Sequence, residues 1–132
     1  MSQVFAGDAV YNTAGVAIPT SGSVAAALGN FLNPPFGNAK AIVIATVFLT
    51  PGTGATSITL GIRRNPNAEN VALPNAGGNI VNNGVPYALT IMSADVIPDG
   101  RPVQYVLNVL QNGASAAGTI SSASIAAFLI SG

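Results

Sequence analysis

The chain reads as all-β, folded as a single β-jelly-roll sandwich. Three features carry that reading. Apolar, β-branched runs recur at intervals of roughly 8–20 residues, clusters of Gly, Pro and Asn separate them, and no stretch has an amphipathic helix's period. With 15 Gly and 9 Pro in 132 residues, the punctuation is dense enough for many short strands. A two-sheet jelly roll suits such a pattern. An immunoglobulin-like sandwich is the alternative, although its Cys and Trp signature is missing from a chain that has neither residue.

Residues 1–40 are expected to form an irregular N-terminal region, either an arm or extra strands, ahead of a jelly roll over 41–132. Short β pieces fit residues 4–5, 9–11 and 16–18, while 23–32 suit either a helical turn or two after a Ser cap, or another strand. Asn33-Pro34-Pro35 rules out regular structure there. Residues 41–50 (AIVIATVFLT) are almost continuously apolar, the mark of a strand covered on both faces, and Pro51-Gly52 ends them. Over 57–64 (SITLGIRR), Ile58, Leu60 and Ile62 alternate with Thr59, Gly61 and Arg63, so one face is buried.

Asn65-Pro66-Asn67 breaks that strand. Short strands are expected at 70–73 and 79–81, followed by a turn at Asn82-Asn83-Gly84, an Asn-Gly pair that accepts positive φ. Val85, Tyr87, Leu89 and Ile91 share one face of the next strand. Pro98-Asp99-Gly100 turns the chain into a strand over 103–110 with apolar residues on both faces, and a last strand is expected over 124–130.

Charge decides what such a sandwich does. Only eight residues are charged: Asp8, Lys40, Arg63, Arg64, Glu69, Asp95, Asp99 and Arg101, 6% of the chain with a formal net of zero. Ordinary domains are about 25% charged. A compact 13.1 kDa chain should show roughly 6,400 Å² to water, so each charge serves about 800 Å², too few to keep a lone molecule from self-association. Much of the surface is therefore expected to lie against copies of the chain or a larger lattice.

The same poverty excludes most chemistry. Without His or Cys there is no catalytic triad, no Cys-His pair and no zinc site of the usual ligands. Asp95 and Asp99 are separated by a turn and read as solvated acids rather than a glycosidase pair. No loop has calcium-binding spacing, and neither Gly-rich stretch has the spacing of a phosphate cradle. Cofactors are expected to be none, and the chain is not expected to be an enzyme. Nucleic acid is excluded as a partner, since Arg63-Arg64 is the one adjacent basic pair and phosphate binding needs clustered cations. So is a membrane, since the longest apolar run falls far short of about 20 residues. The opening residues lack a signal peptide's basic and apolar regions, so no leader is expected.

Contact with neighbours is instead assigned to nine residues. Phe5, Phe31 and Phe36 are candidate anchors into an adjacent subunit, because an apolar arm has little reason to sit in water. Arg63, Arg64 and Arg101 are candidates to pair across an interface with Glu69, Asp95 or Asp99, where each scarce charge weighs on register; the bland alternative is edge charges that discourage sheet-to-sheet aggregation. Tyr87 and Tyr105 fit the core, each hydroxyl reaching a partner at the rim, with a sugar-stacking platform as the sharper alternative.

Three stretches carry a resemblance. SITLGIRR (57–64) is similar to a strand ending in basic residues before a turn. VIPDGRPVQYVL (96–107) is similar to a Pro/Gly turn entering a Tyr-containing strand, and GTISSASIAAFLI (118–130) to a small-residue loop with a closing strand. Together they resemble the tumour-necrosis-factor/C1q-like jelly rolls of bacteriophage structural proteins. The resemblance implies a homotrimer on the virion surface, made in the host cytoplasm, serving as a capsid decoration or minor capsid subunit. Its partner would be a major capsid protein or another lattice subunit. It supplies no catalytic residues, and residues 1–40 have no counterpart in it. Two other readings stay open: a receptor- or carbohydrate-binding module of a tail or spike, and a subunit of a non-viral filament or surface array.

Overall fold

The computed structural model describes residues 3–12, 15–31, 39–73, 85–97 and 103–131. Among them, nine strands run in order: β1 (Gln3–Asn12), β2 (Val16–Ile18), β3 (Val24–Phe31), β4 (Ala39–Thr50), β5 (Ser57–Arg64), β6 (Val71–Ala72), β7 (Tyr87–Ile97), β8 (Val103–Asn112) and β9 (Gly118–Ser131). They form two antiparallel sheets. Sheet A has the order β1-β9-β4-β7, with β2 also paired to β9, and sheet B has the order β3-β8-β5-β6. Successive strands from β3 onward mostly cross between sheets, so that first and last strands lie side by side. This is the double Greek key of a jelly roll.

Within residues 1–40, where an arm or extra strands were the two expectations, the described residues form strands. β1 and β2 pair along β9, and β3 pairs along β8, so the N-terminal stretch supplies strands to both sheets. The physical reason is edge closure: without β1 and β3, β9 and β8 would each expose a long row of unpaired backbone groups. β3 is a strand despite its Ala-rich sequence, because pairing with β8 and burial of Ala26 and Ala27 outweigh weak β propensity. β9 begins at Gly118, earlier than expected, and β7 continues to Ile97. The turns at 82–84 and 98–100, and the strand expected at 79–81, lie outside the described residues.

The core lies between the sheets and follows period-2 alternation. Val43, Val47 and Leu49 of β4 meet Ile58, Leu60 and Ile62 of β5 with Leu107, Val109, Ile120 and Ile125, all within one apolar cluster. β4 corrects the expectation of two covered faces. Ala41, Val43, Ala45, Val47 and Leu49 are buried, whereas Ile42, Ile44 and Thr46 are half-buried and Phe48 is exposed. Among the described residues, nothing lies above its outward half.

Candidate functional site

At one end of the sandwich, four polar side chains tie the sheets together. Arg64 follows Ile58, Leu60 and Ile62 on the inward parity of β5, which carries its guanidinium into the interior at 8% exposure. Its Nη1 donates to Asp95 Oδ1 at 2.6 Å and to the Val96 carbonyl at 2.9 Å, and its Nε donates to Glu69 Oε2 at 3.2 Å. Tyr105, the register partner of Arg64 on β8, donates its hydroxyl to Asp95 Oδ2 at 2.8 Å. Arg64 and Tyr105 belong to sheet B and Asp95 to sheet A, so the cluster spans the interior.

The local chain folds to serve it. Asn65 and Asn70 take positive φ (46° and 53°), conformations that Asn tolerates, and the Asn65 carbonyl accepts the Ala68, Glu69 and Asn70 N–H groups. That tight turn swings Glu69 back onto Arg64, and Asn65 Nδ2 steadies Glu69 Oε2 at 3.3 Å.

Electrostatics follow from burial. Desolvation lowers the Arg64 pKa, but the Asp95 hydrogen bond and charge, then those of Glu69, outweigh it and leave the group above its ordinary value. Burial pushes the Tyr105 phenol well above its usual range, and the nearby Asp95 charge and hydrogen bond push it further. The sign of the pH effect is direct. The unfolded phenol ionises near pH 10 while the folded one stays protonated, so above pH 10 the unfolded state binds fewer protons and stability falls. Below pH 10 that contribution is complete. Chemical denaturation of wild type between pH 9 and 11.5 should therefore show a loss approaching about 1.4 kcal/mol per pH unit that Tyr105→Phe lacks.

This geometry corrects the intersubunit pairing expected of Arg64, Glu69 and Asp95. They pair within one chain, because the strand parity that buries Ile62 also buries Arg64, and an unpaired charge there would be costly. Arg63 faces outward and donates from Nη1 to Asn70 Oδ1 at 2.9 Å. Phe5 and Phe31 stand on β1 and β3, opposite Leu129 and Val103 in the sheets. Phe36, Asp99 and Arg101 lie outside the described residues. Tyr105 is fully buried, which removes it as a sugar platform.

The surface of interest is one that the nine candidates do not mark: the outer face of sheet A. Register sets it out in rows across β7, β4 and β9. Ala94, Ile42 and Phe128 form one row, Met92, Ile44 and Ala126 the next, then Thr90, Thr46 and Ser124, then Ala88, Phe48 and Ser122. Met92 is 60% exposed, Val96 55% and Phe48 49%, with Phe128 at 37%. The Thr46 and Thr90 hydroxyls hydrogen-bond at 3.0 Å across the third row. Lys40, at one end of β4, is the one charged residue among these outward positions. Half of this face is apolar, and half is a ladder of small hydroxyls. The signal was present in the sequence, since both parities of AIVIATVFLT are apolar.

No family model matches the chain, and no curated protein matches it. Solved structures do. The infectious bursal disease virus VP2 subviral particle superposes with a TM-score of 0.53 at 12% identity, covering 98% of this chain and 36% of that one. The EclA C-terminal domain, a sugar-binding protein, superposes with a TM-score of 0.50 at 9% identity, covering 86% of this chain and 78% of that one. What is shared is the fold. The chain spans about a third of the capsid protein's length, and such low identities carry nothing further.

Proposed function

We propose that this chain is a structural, non-enzymatic protein, a capsid decoration or minor capsid subunit. It assembles as a symmetric homo-oligomer, a homotrimer, and sits on the virion surface against a major capsid protein or other lattice subunit. The observation that carries the reading is the outer half of β4 with its neighbours on β7 and β9, left uncovered by the described residues. A strand apolar on both parities suits a place between two layers, and the described residues provide only one of them.

Charge bookkeeping strengthens the case. The accessible surface is 6517 Å², close to that expected for a compact chain of this mass. Arg64, Glu69 and Asp95 are consumed internally, leaving five of the eight charges, about one per 1,300 Å², where soluble monomers carry far more. Covering the outer face of sheet A with a copy or a lattice removes exposed Met92, Val96, Phe48 and Phe128 from water, at about 25 cal/mol per Å² of apolar area. Binding that selects the folded form also stabilises it.

The test is molar mass by light scattering. Wild type should behave as a discrete trimer, and Met92→Glu with Phe128→Glu should return it to monomer with an unchanged circular dichroism spectrum. A 13.1 kDa monomer that remains dispersed at high concentration would sink the reading. Open-ended polymers would point to the filament alternative.

A further inference from the structure

Gly61 sits in the middle of β5, where glycine costs backbone entropy and packs nothing. The fold gives no reason for it. Its φ lies outside the left-handed region, and among the described residues a Cβ built there meets no atom within 4 Å. Nor does it mark a bulge, since β5 pairs with β8 from Ser57↔Asn112 to Arg64↔Tyr105 without a register shift. A glycine in that position, with neither bulge nor crowding, marks a place where something from outside approaches the backbone closely.

The gap is the floor of a groove of about 250 Å³ on the outer face of sheet B, on the opposite side of the sandwich from the proposed assembly surface. Ser23, Thr59 and Asn108 line it with hydroxyls and an amide, Leu110 forms an apolar wall, and Arg63 stands at one end. Asn70 holds the Arg63 guanidinium in place through its carbonyl at 3.3 Å and its side-chain oxygen at 2.9 Å. Neither acceptor is a carboxylate, and Arg63 makes no ion pair among the described residues.

We propose that this groove binds one sugar ring bearing a carboxylate, an acidic monosaccharide unit such as a uronate. The volume is below the roughly 300–1,000 Å³ of sites for drug-sized molecules, so a single ring fits it best. Arg63 offers a planar, positioned fork to a carboxylate. The hydroxyls and the Asn108 amide match a ring's hydroxyl groups, and Leu110 with the bare backbone at Gly61 accepts its C–H face. A second copy's backbone would fill the gap but would leave the Arg63 fork without an anion.

The test is a two-dimensional amide NMR titration of the full chain with sodium glucuronate, glucose and sodium acetate, run separately. Glucuronate should give saturable shifts along β5 and β8, and bind about tenfold more tightly than glucose or acetate. Gly61→Val should abolish those shifts while keeping or raising Tm, since the space above the strand is open. Arg63→Gln, with Tm as a folding check, should level glucuronate with glucose. Equal response to acetate would reduce the groove to an anion site and overturn the proposal, as would glucuronate binding by Gly61→Val at the wild-type level. An altered molar mass in Gly61→Val, without sugar binding by wild type, would assign the gap to a second copy instead.

Discussion

Replacing Arg64 by alanine should destabilise the fold by about 3–5 kcal/mol, read as a lower urea midpoint at constant m-value. The magnitude comes from what is left behind. The Asp95 side chain is 6% exposed, with Oδ1 taking hydrogen bonds from Arg64 and the Val96 N–H and Oδ2 taking one from Tyr105. Removing the guanidinium strands a carboxylate between the sheets with two neutral donors and no counter-charge among the described residues. Glu69, at 23% exposure, can turn towards water and adds less. The complementary variant tests the mechanism. Arg64→Met combined with Asp95→Leu and Tyr105→Phe removes charge and partners together, and should recover most of the loss, because a buried ion pair is often no better than well-packed apolar groups. A loss below about 1 kcal/mol for Arg64→Ala would mean that water reaches the cluster and that the pair behaves as a surface pair.

Arg64 also shows how far the sequence could be read. Ile58, Leu60 and Ile62 were legible as the buried parity of β5, and the same count places residue 64 inward. Leu89 and Ile91 likewise place 93 and 95 inward on β7, so the ion pair was written in the alternation. Two adjacent arginines at a strand's end obscure it, since chemistry and parity disagree there and only the partner strand decides. The first forty residues were hard for another reason. β3 is VAAALGNF, with one β-branched residue, and its strand identity comes from pairing with β8, a contact that no local propensity encodes. The start of β9 was hidden in the same way, since Gly118 to Ser122 offers little apolar contrast. For the outer face of sheet A, the apolar pattern was legible, but what covers β4's second face was not, because none of the described residues covers it.

Gln111→Leu is the second large effect, expected to cost about 3–4 kcal/mol. Gln111 lies on the inward parity of β8 with Leu107 and Val109 and is 1% exposed, at the end of the sandwich away from Arg64. Its Oε1 accepts the Gly52 N–H at 2.9 Å, and its Nε2 donates to the carbonyls of Ile18, Pro19 and Ala116 at 3.0, 3.1 and 3.2 Å. One amide thus satisfies backbone from three separate loops, at β2's exit, after β4 and before β9. Leucine matches the volume but leaves a buried N–H and carbonyls without partners, each costing about 1–3 kcal/mol unless water enters. The loops have no slack with which to re-pair. A Cβ at Gly52 would stand 1.9 Å from the Ala116 carbonyl oxygen, and one at Gly118 would stand 2.7 Å from that of Thr50. Gly52→Ala should therefore be at least as damaging as Gln111→Leu, although it deletes no hydrogen-bonding group. Hydrogen exchange separates the mechanisms from general weakening: in Gln111→Leu, protection should fall first at the Gly52 amide, ahead of the β4 and β5 core. Uniform loss across both sheets would show that the amide adds only bulk, and that the loops are held by the strands they join.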